Sequence, residues 1–241
     1  MKKIKITFSY DGSKFYGSQI QKQKNTVIGT IQKAFKILHV EQNIKVSGRT
    51  DRGVHALNQV CHLYVPGYLN DLDRLKQNLN HMIKPYIYIK NIEFATDEFH
   101  ARYSAKKRLY RYIISHNSYS PFSADLCLFS PFLNANSLHL NAQEFVGIHD
   151  FKYFKKNGSK TKNDIREIYK CGAYSFKNHT VLYFLGNSFL RSQVRMMCDY
   201  LIKIEQKKLT LTNLKEQLDT TKFTSSSIVP PNGLYLSKIY Y

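Results

Sequence analysis

The chain has 241 residues, with 36 Lys plus Arg against 17 Asp plus Glu, a formal net charge of +19. A hydrophobic content of 43% excludes a disordered chain and leaves room for one large domain or two small ones with real cores. The basic excess points to a polyanionic partner such as nucleic acid, and 18 Tyr and 15 Phe suit phosphate contact with base stacking, though most of these rings belong to the core.

No basic amphipathic anchor and no transmembrane run is present, so a membrane partner is not expected. Met1-Lys2-Lys3 leads into an alternating strand rather than an apolar signal segment. Cys61, Cys127, Cys171 and Cys198 are scattered without a C-x-x-C pair. They read as reduced, mostly buried thiols of a cytoplasmic protein, neither zinc site nor disulfide framework.

In chain order, Ile4, Ile6, Phe8 and Tyr10 alternate with polar residues and predict a strand. Thr26 can cap a helix whose apolar stripe is Val27, Ile31, Ala34 and Leu38. A short strand follows at 43–46, and another at 59–65 with Cys61, Leu63 and Val65 on one face. Residues 71–82 read as a helix and 86–94 as a strand. The order β-α-β-β-α-β is the ferredoxin-like arrangement.

The second half repeats that order with longer loops. The spacing predicts a strand over 108–115, a short helix over 141–148 and strands over 165–176 and 180–185. Leu190, Val194, Met197, Leu201 and Ile204, spaced 4, 3, 4 and 3, predict a helix over 189–204. A short helix near 211–218 and a strand over 234–240 close the unit. The expected fold is α+β: two ferredoxin-like halves with mainly antiparallel sheets, residues 1–104 and 105–241, packed side by side around a basic central cleft. The boundary falls near the cluster Arg102, Lys106, Lys107 and Arg108, with no Gly/Ser-rich linker. Segments 121–133 and 151–163 read as loop insertions. The second carries Lys152, Lys155, Lys156, Lys160 and Lys162, which suit either phosphate contact or plain solvation.

The segment with the most chemical content is Gly48-Arg49-Thr50-Asp51-Arg52-Gly53-Val54-His55-Ala56. It sets one carboxylate between two arginines in a turn bounded by two glycines. Glycines permit tight backbone and close ligand approach, and neighbouring cations favour the charged carboxylate. This is the pattern of a nucleophile, or of an anchor for a sugar or base.

That run resembles the catalytic motif of the tRNA pseudouridine synthase A family. Further segments are similar to the family's in the same order: Tyr10-Asp11-Gly12 with Phe15, Gly17 and Gln19; Leu79-Asn80; Phe99-His100-Ala101-Arg102; Tyr110-Arg111-Tyr112; Gly147 with His149-Asp150-Phe151; Phe189-Leu190 with Val194-Arg195; and Gly233-Leu234 before a terminal strand. The chain departs from the pattern at Ser18, where Trp is usual, at Arg52 for a small residue, at Lys84 for Pro and at Asp199 for Gly. None of these removes a proposed catalytic group.

The resemblance implies isomerisation of uridine to pseudouridine in the tRNA anticodon stem-loop, at positions 38, 39 and 40, without cofactor or metal, by a homodimer. It makes Asp51 the nucleophile, attacking either ribose C1′ or uracil C6. It pairs Arg195 with Asp51, and makes Tyr110 the ring that stacks on the target uracil, with proton transfer a second role open to it. Arg49 would hold the backbone or fill the place of the flipped base, whose extrusion costs a few kcal/mol. Arg52, Tyr10, Lys14, Gln19, Arg102 and Arg191 are the expected RNA contacts, Arg191 one helical turn from Arg195.

Other constellations are weaker. His55 reads as a support of the Asp51 turn. His149-Asp150 lacks the further ligands a metal needs, and 11–17 lacks Walker spacing. A non-catalytic RNA-binding module shares the charge and aromatics but leaves the Arg-Thr-Asp turn unexplained, and no RNP1-like run is present. A synthase with another RNA target is the remaining alternative, since basic contacts position RNA without naming a sequence.

Overall fold

The computed structural model describes residues 1–158 and 161–241; of the lysine-rich loop, Lys160 lies outside the described residues. The elements are β1 (Lys2–Tyr10), α1 (Val27–Ile37), β2 (Lys45–Val46), β3 (His55–Val65), α2 (Leu72–Ile83), β4 (Ile87–Phe94), β5 (Lys107–Ser115), β6 (Leu128–Phe129), α3 (Ala135–Ala142), β7 (Gly147–Asp150), β8 (Ile165–Phe176), β9 (His179–Gly186), α4 (Gln193–Glu205), α5 (Leu211–Leu218) and β10 (Leu234–Tyr240). The chain is mixed α/β with mainly antiparallel strand pairing. It divides into two compact units, Met1–Lys106 with Tyr235–Tyr241, and Lys107–Leu234.

In the first unit β1 pairs antiparallel with β3 on one side and β4 on the other. The alternation of β1 turns Ile4, Ile6, Phe8 and Tyr10 inward, as its sequence predicts. Of the expected α1 stripe, Val27, Ile31 and Ala34 are buried together with Phe35, while Leu38 is the half-buried C-cap. Thr26 caps this helix, its side chain accepting from the Gly29 N–H, and Asp71 caps α2 through the Arg74 N–H. The Leu79-Asn80 pair has a visible purpose. Leu79 is fully buried, while the Asn80 amide donates to the Ile89 carbonyl at 3.0 Å and accepts from its N–H at 2.7 Å, fixing α2 to β4.

The terminal strand differs from the 105–241 assignment. Its residues 235–241 cluster with the first unit, because Tyr235 and Leu236 pair parallel with His55 and Ala56 of β3. Asn58 Nδ2 donates to the Ser237 carbonyl at 2.7 Å, and the Tyr241 hydroxyl donates to the Ala101 carbonyl at 2.9 Å.

In the second unit the antiparallel order is β5-β9-β8-β7, and β6 pairs parallel with β5. Phe145, Phe151, Phe154 and Phe184 are fully buried. Phe145 meets Phe154 edge-on at 5.5 Å and Phe184 at 6.3 Å. The helix expected over 141–148 is instead α3 at Ala135–Ala142. Asn134 caps it by accepting from the Asn136 and Ser137 N–H groups, and Gly147 at φ +113 turns the chain into β7. The long helix begins at Gln193, four residues later than its periodicity predicts, because Ser192 adopts φ 62. Leu190 stays buried on a turn, its N–H donating to Gln193 Oε1 at 2.7 Å. Among the described residues no helix is long and apolar enough to cross a membrane. All four cysteines are buried free thiols.

One buried histidine in the first unit makes stability depend on pH. His62 packs edge-on to His100 at 4.7 Å, and its Nδ1 accepts from the Ala101 N–H at 3.1 Å. Burial, then His100, Lys3 and Lys45, pull the His62 pKa down to about 4. The unfolded chain therefore binds the extra proton first, so stability is fully present above about pH 6.5 and is lost as pH falls toward 4. Urea unfolding between pH 7 and 4 is expected to show this loss, and His62→Gln to flatten it.

Candidate active site

The Asp51 loop spans residues 47–54, between β2 and β3, and its backbone is anchored at several points. At its entry the Ser47 N–H donates to the Val60 carbonyl at 2.9 Å. The Ser47 hydroxyl donates to Gln59 Oε1 at 2.6 Å, and Gln59 Nε2 donates to the Gly48 carbonyl at 3.1 Å. Gln59 is fully buried, so its amide serves as an internal bracket.

The tightest anchor falls on Thr50, directly before Asp51. The Thr50 N–H donates to Ser18 Oγ at 2.8 Å, and the Ser18 N–H donates back to the Thr50 carbonyl at 3.2 Å. Ser18 is fully buried. Gly17 at φ +97 makes this approach possible: a Cβ there would lie 2.9 Å from the Thr50 carbonyl oxygen and 3.4 Å from the Arg52 nitrogen. The same turn takes up the start of α1, with the Val27 N–H on the Gly17 carbonyl and the Ile28 N–H on the Ser18 carbonyl. Tyr10, expected as an RNA contact, is 5% exposed, and its hydroxyl bonds the Thr50 hydroxyl at 2.8 Å. It supports the loop from below instead of facing solvent, as its place on the inward face of β1 requires.

Beyond Asp51, the Val54 N–H closes a turn on the Asp51 carbonyl at 3.2 Å, with Gly53 at φ 80. Gly12 packs on Val54 so closely that a Cβ would lie 2.0 Å from its carbonyl oxygen. His55 is the first residue of β3, 2% exposed, and stacks on Tyr235 at 4.6 Å. Its Nδ1 meets the Gly12 N–H at 3.1 Å and lies 3.3 Å from Asp11 Oδ1. His55 therefore joins the Asp51 loop to the 11–12 turn.

Asp51 itself is partly exposed, while Arg49 and Arg52 are exposed. Arg52 lies with its guanidinium carbon 4.5 Å from the Tyr16 ring centre. Lys14 and Gln19 are exposed in the same unit, and Lys14 Nζ lies 6.0 Å from the Tyr86 ring. Arg102 is exposed next to Tyr103 at 5.7 Å.

In the second unit Tyr110 lies on β5, 9% exposed, edge-on to Phe189 at 5.2 Å. Arg195 lies on α4 and donates through Nε to the Val229 carbonyl at 2.8 Å. Asp199, one turn on, pairs with Lys203 at 3.0 Å and accepts from the Ser227 hydroxyl. Gln217, fully buried, accepts from the Thr224 and Ser225 N–H groups, both at 2.9 Å. The hydroxyl-rich segment 224–227 is thus tied to both α4 and α5. Arg191 is not on α4; it is exposed in the turn before it, and its carbonyl accepts from the Lys156 N–H at 3.0 Å.

Of the lysine loop, Lys155 pairs with Asp164, and Lys152 lies 5.1 Å from the Tyr153 ring. His149 and Asp150 serve their own turn: His149 Nε2 bonds the Val146 carbonyl, and Asp150 accepts from the Lys152 N–H. Among the described residues no group of three or more His, Cys, Asp or Glu side chains could hold a metal.

The anchors thus hold the loop backbone around one partly exposed carboxylate, in a basic α/β chain. A sequence model described as tRNA pseudouridine synthase matches residues 6–104 and 141–241. The chain belongs to the tRNA pseudouridine synthase family. It is 40% identical over 241 residues to tRNA pseudouridine synthase A of Campylobacter jejuni, covering 100% of both chains. It is 35% identical to that of Wolinella succinogenes, covering 96% of this chain and 92% of the relative. The Helicobacter pylori protein of the same name is also 35% identical, with 100% of both covered.

Sequence reading missed Ser18 and Gln59 as parts of the site. Both act through backbone bonds to residues far along the chain, and neither residue type announces this. Removing a partner from a buried N–H costs about 1–3 kcal/mol. Ser18→Ala is therefore expected to lower stability by about that amount, and Tyr10→Phe by about 1 kcal/mol. Because both bond Thr50, a double-mutant cycle in urea unfolding is expected to show coupling on the order of 0.5 kcal/mol or more.

Proposed function

We propose that this protein isomerises uridine to pseudouridine in the anticodon stem-loop of tRNA, at positions 38, 39 and 40. The observation that carries the reading is the Asp51 carboxylate on a loop anchored on both sides, in a chain that matches the family along its length. In the reaction the bond from uracil N1 to ribose C1′ breaks. The uracil turns, C5 bonds to C1′, the C5 hydrogen leaves as a proton and N1 takes up a proton in its place, so the product is an isomer of the substrate.

Asp51 acts as the nucleophile, at C1′ or at C6, in the manner of carboxylates that attack sugars. The family resemblance makes Arg195 its counter-charge; within its own unit Arg195 donates through Nε to the Val229 carbonyl. Tyr110 stacks on the target uracil, held edge-on by Phe189. Arg49 occupies the space left by the flipped base, offsetting part of the few kcal/mol of extrusion. Lys14, Gln19, Arg52, Arg102 and Arg191 contact the RNA, and their exposure agrees with that role. Tyr10 has a different task, holding Thr50 from below.

We also read each unit as part of a ferredoxin-like half. In support stand β1, α1, β2, β3, α2 and β4 in sequence, with β3 flanked by β1 and β2, and β5, α3, β8, β9 and α4 in the second unit. A cytoplasmic location goes with a tRNA substrate, and a homodimer with the family. Light scattering is expected to give twice the 28.2 kDa chain mass; a monomer under tRNA-binding conditions would count against the dimer.

The test of the reaction is tritium release from tRNA carrying [5-³H]uridine. Wild type is expected to release tritium, and Asp51→Asn to bind the same tRNA and release none. Turnover retained in Asp51→Asn would remove Asp51 from the chemistry. Binding without release in the wild type would leave a binding protein or a different RNA substrate.

A further inference from the structure

Tyr16 has no task in the site described above, yet its position is closely determined. Its neighbour Phe15 is 4% exposed in the core, and Gly17 is pressed onto the backbone of residues 50–52. The ring between them is forced outward beside the Asp51 loop, and it is 42% exposed. Its backbone is pinned on both sides: the N–H donates to the Asn25 carbonyl at 2.9 Å, and the carbonyl accepts from Gln21 Nε2 at 2.7 Å.

Two cations meet this ring. The Arg52 guanidinium carbon lies 4.5 Å from its centre and Lys24 Nζ 5.4 Å. Arg52 follows Asp51 directly and stands where the family pattern has a small residue. An exposed phenol and a planar guanidinium both stack on bases, and both cations can meet phosphate. On a chain of net charge +19, that pairing fits a nucleic-acid strand better than a protein surface.

We infer that Tyr16 and Arg52 form a stacking platform for an unpaired nucleotide of the substrate RNA flanking the target uridine, with Lys24 on its phosphate. This rests on the synthase reading for the identity of the RNA. The platform is fixed to the same 17–18 turn that anchors Thr50. A nucleotide stacked on it is therefore held in register with Asp51. It gives this chain a grip on the residue next to the target, independent of the base being isomerised.

The experiment is direct titration of an anticodon stem-loop RNA at several salt concentrations, with tritium release run in parallel. Loss of one stacked base is expected to weaken binding of Tyr16→Leu roughly 5- to 150-fold with the salt slope kept. Tyr16→Phe, which keeps the ring, recovers that affinity. Lys24→Ala is expected to lower the log–log salt slope by about 1, as loss of one phosphate contact does. Tyr16→Leu binding within twofold of wild type, or a change in self-association instead of RNA affinity, would overturn the platform. The two readings fail separately. Weakened RNA binding in a protein that releases no tritium keeps the platform and sinks the synthase; tritium release with unaltered Tyr16→Leu binding does the reverse.

Discussion

A carboxylate on a loop can be aimed only if the loop backbone has one conformation, and the eight residues from Ser47 to Val54 lie outside any strand or helix. Their N–H and C=O groups must find partners elsewhere or pay for desolvation. The chain meets this with Gln59 on β3 and Ser18 in the turn before α1, while Tyr10 on β1 holds the Thr50 hydroxyl. The constraint then spreads outward. The 17–18 turn that brackets Thr50 also accepts the Val27 and Ile28 N–H groups at the start of α1. The first turn of that helix, the Gly17 turn and the Asp51 loop are thus one hydrogen-bonded assembly. Gly12, His55 and Tyr235 close it from the other side.

The charge of the molecule obeys a different logic. With 36 basic against 17 acidic residues, most cations have no acidic partner available. The ion pairs that exist, such as Lys5–Glu93 and Lys76–Asp73, involve partly exposed side chains and are each worth little. The excess positive charge contributes self-repulsion and no folding energy. Its use is external, on a polyanion, and the fold must be held by packing and hydrogen bonds instead. The buried phenylalanine cluster of the second unit and the alternating core of β1 and α1 meet that need.

The strictly periodic elements were legible to within a residue or so: β1, α1, β8, α5 and β10. The errors came where one cue was followed past its range. Leu190 sits on the apolar face of the long helix and is buried, so periodicity extended the helix over it; the φ of Ser192 breaks the helix without unburying Leu190. Helix α3 was expected six residues too late, over 141–148; Asn134 is its cap. Tyr10 shows the opposite fault. Its alternation with Ile4, Ile6 and Phe8 already put it on the inward face, and motif membership drew it outward. Asp51 was legible because its motif is local. Ser18 was not, because its partner is 32 residues away and nothing in a single serine marks it.

Three of the four departures from the family pattern share a physical feature: the side chain is engaged in this structure. Ser18 fills its position with a hydroxyl that accepts the Thr50 N–H. Arg52 lies on Tyr16. Asp199 pairs with Lys203 and takes the Ser227 hydroxyl, on the segment that leads to the carbonyl orienting Arg195. Lys84 ends α2 in the extended conformation that a following proline requires. Ser18 bonds the Asp51 loop and Arg52 flanks Asp51, while Asp199 holds Ser227, two residues before the Val229 carbonyl that Arg195 bonds. The substituted side chains have been built into the apparatus that orients the proposed catalytic groups. A family pattern broken at such positions therefore marks a different way of holding the same carboxylate and cation, and gives no reason to expect their loss.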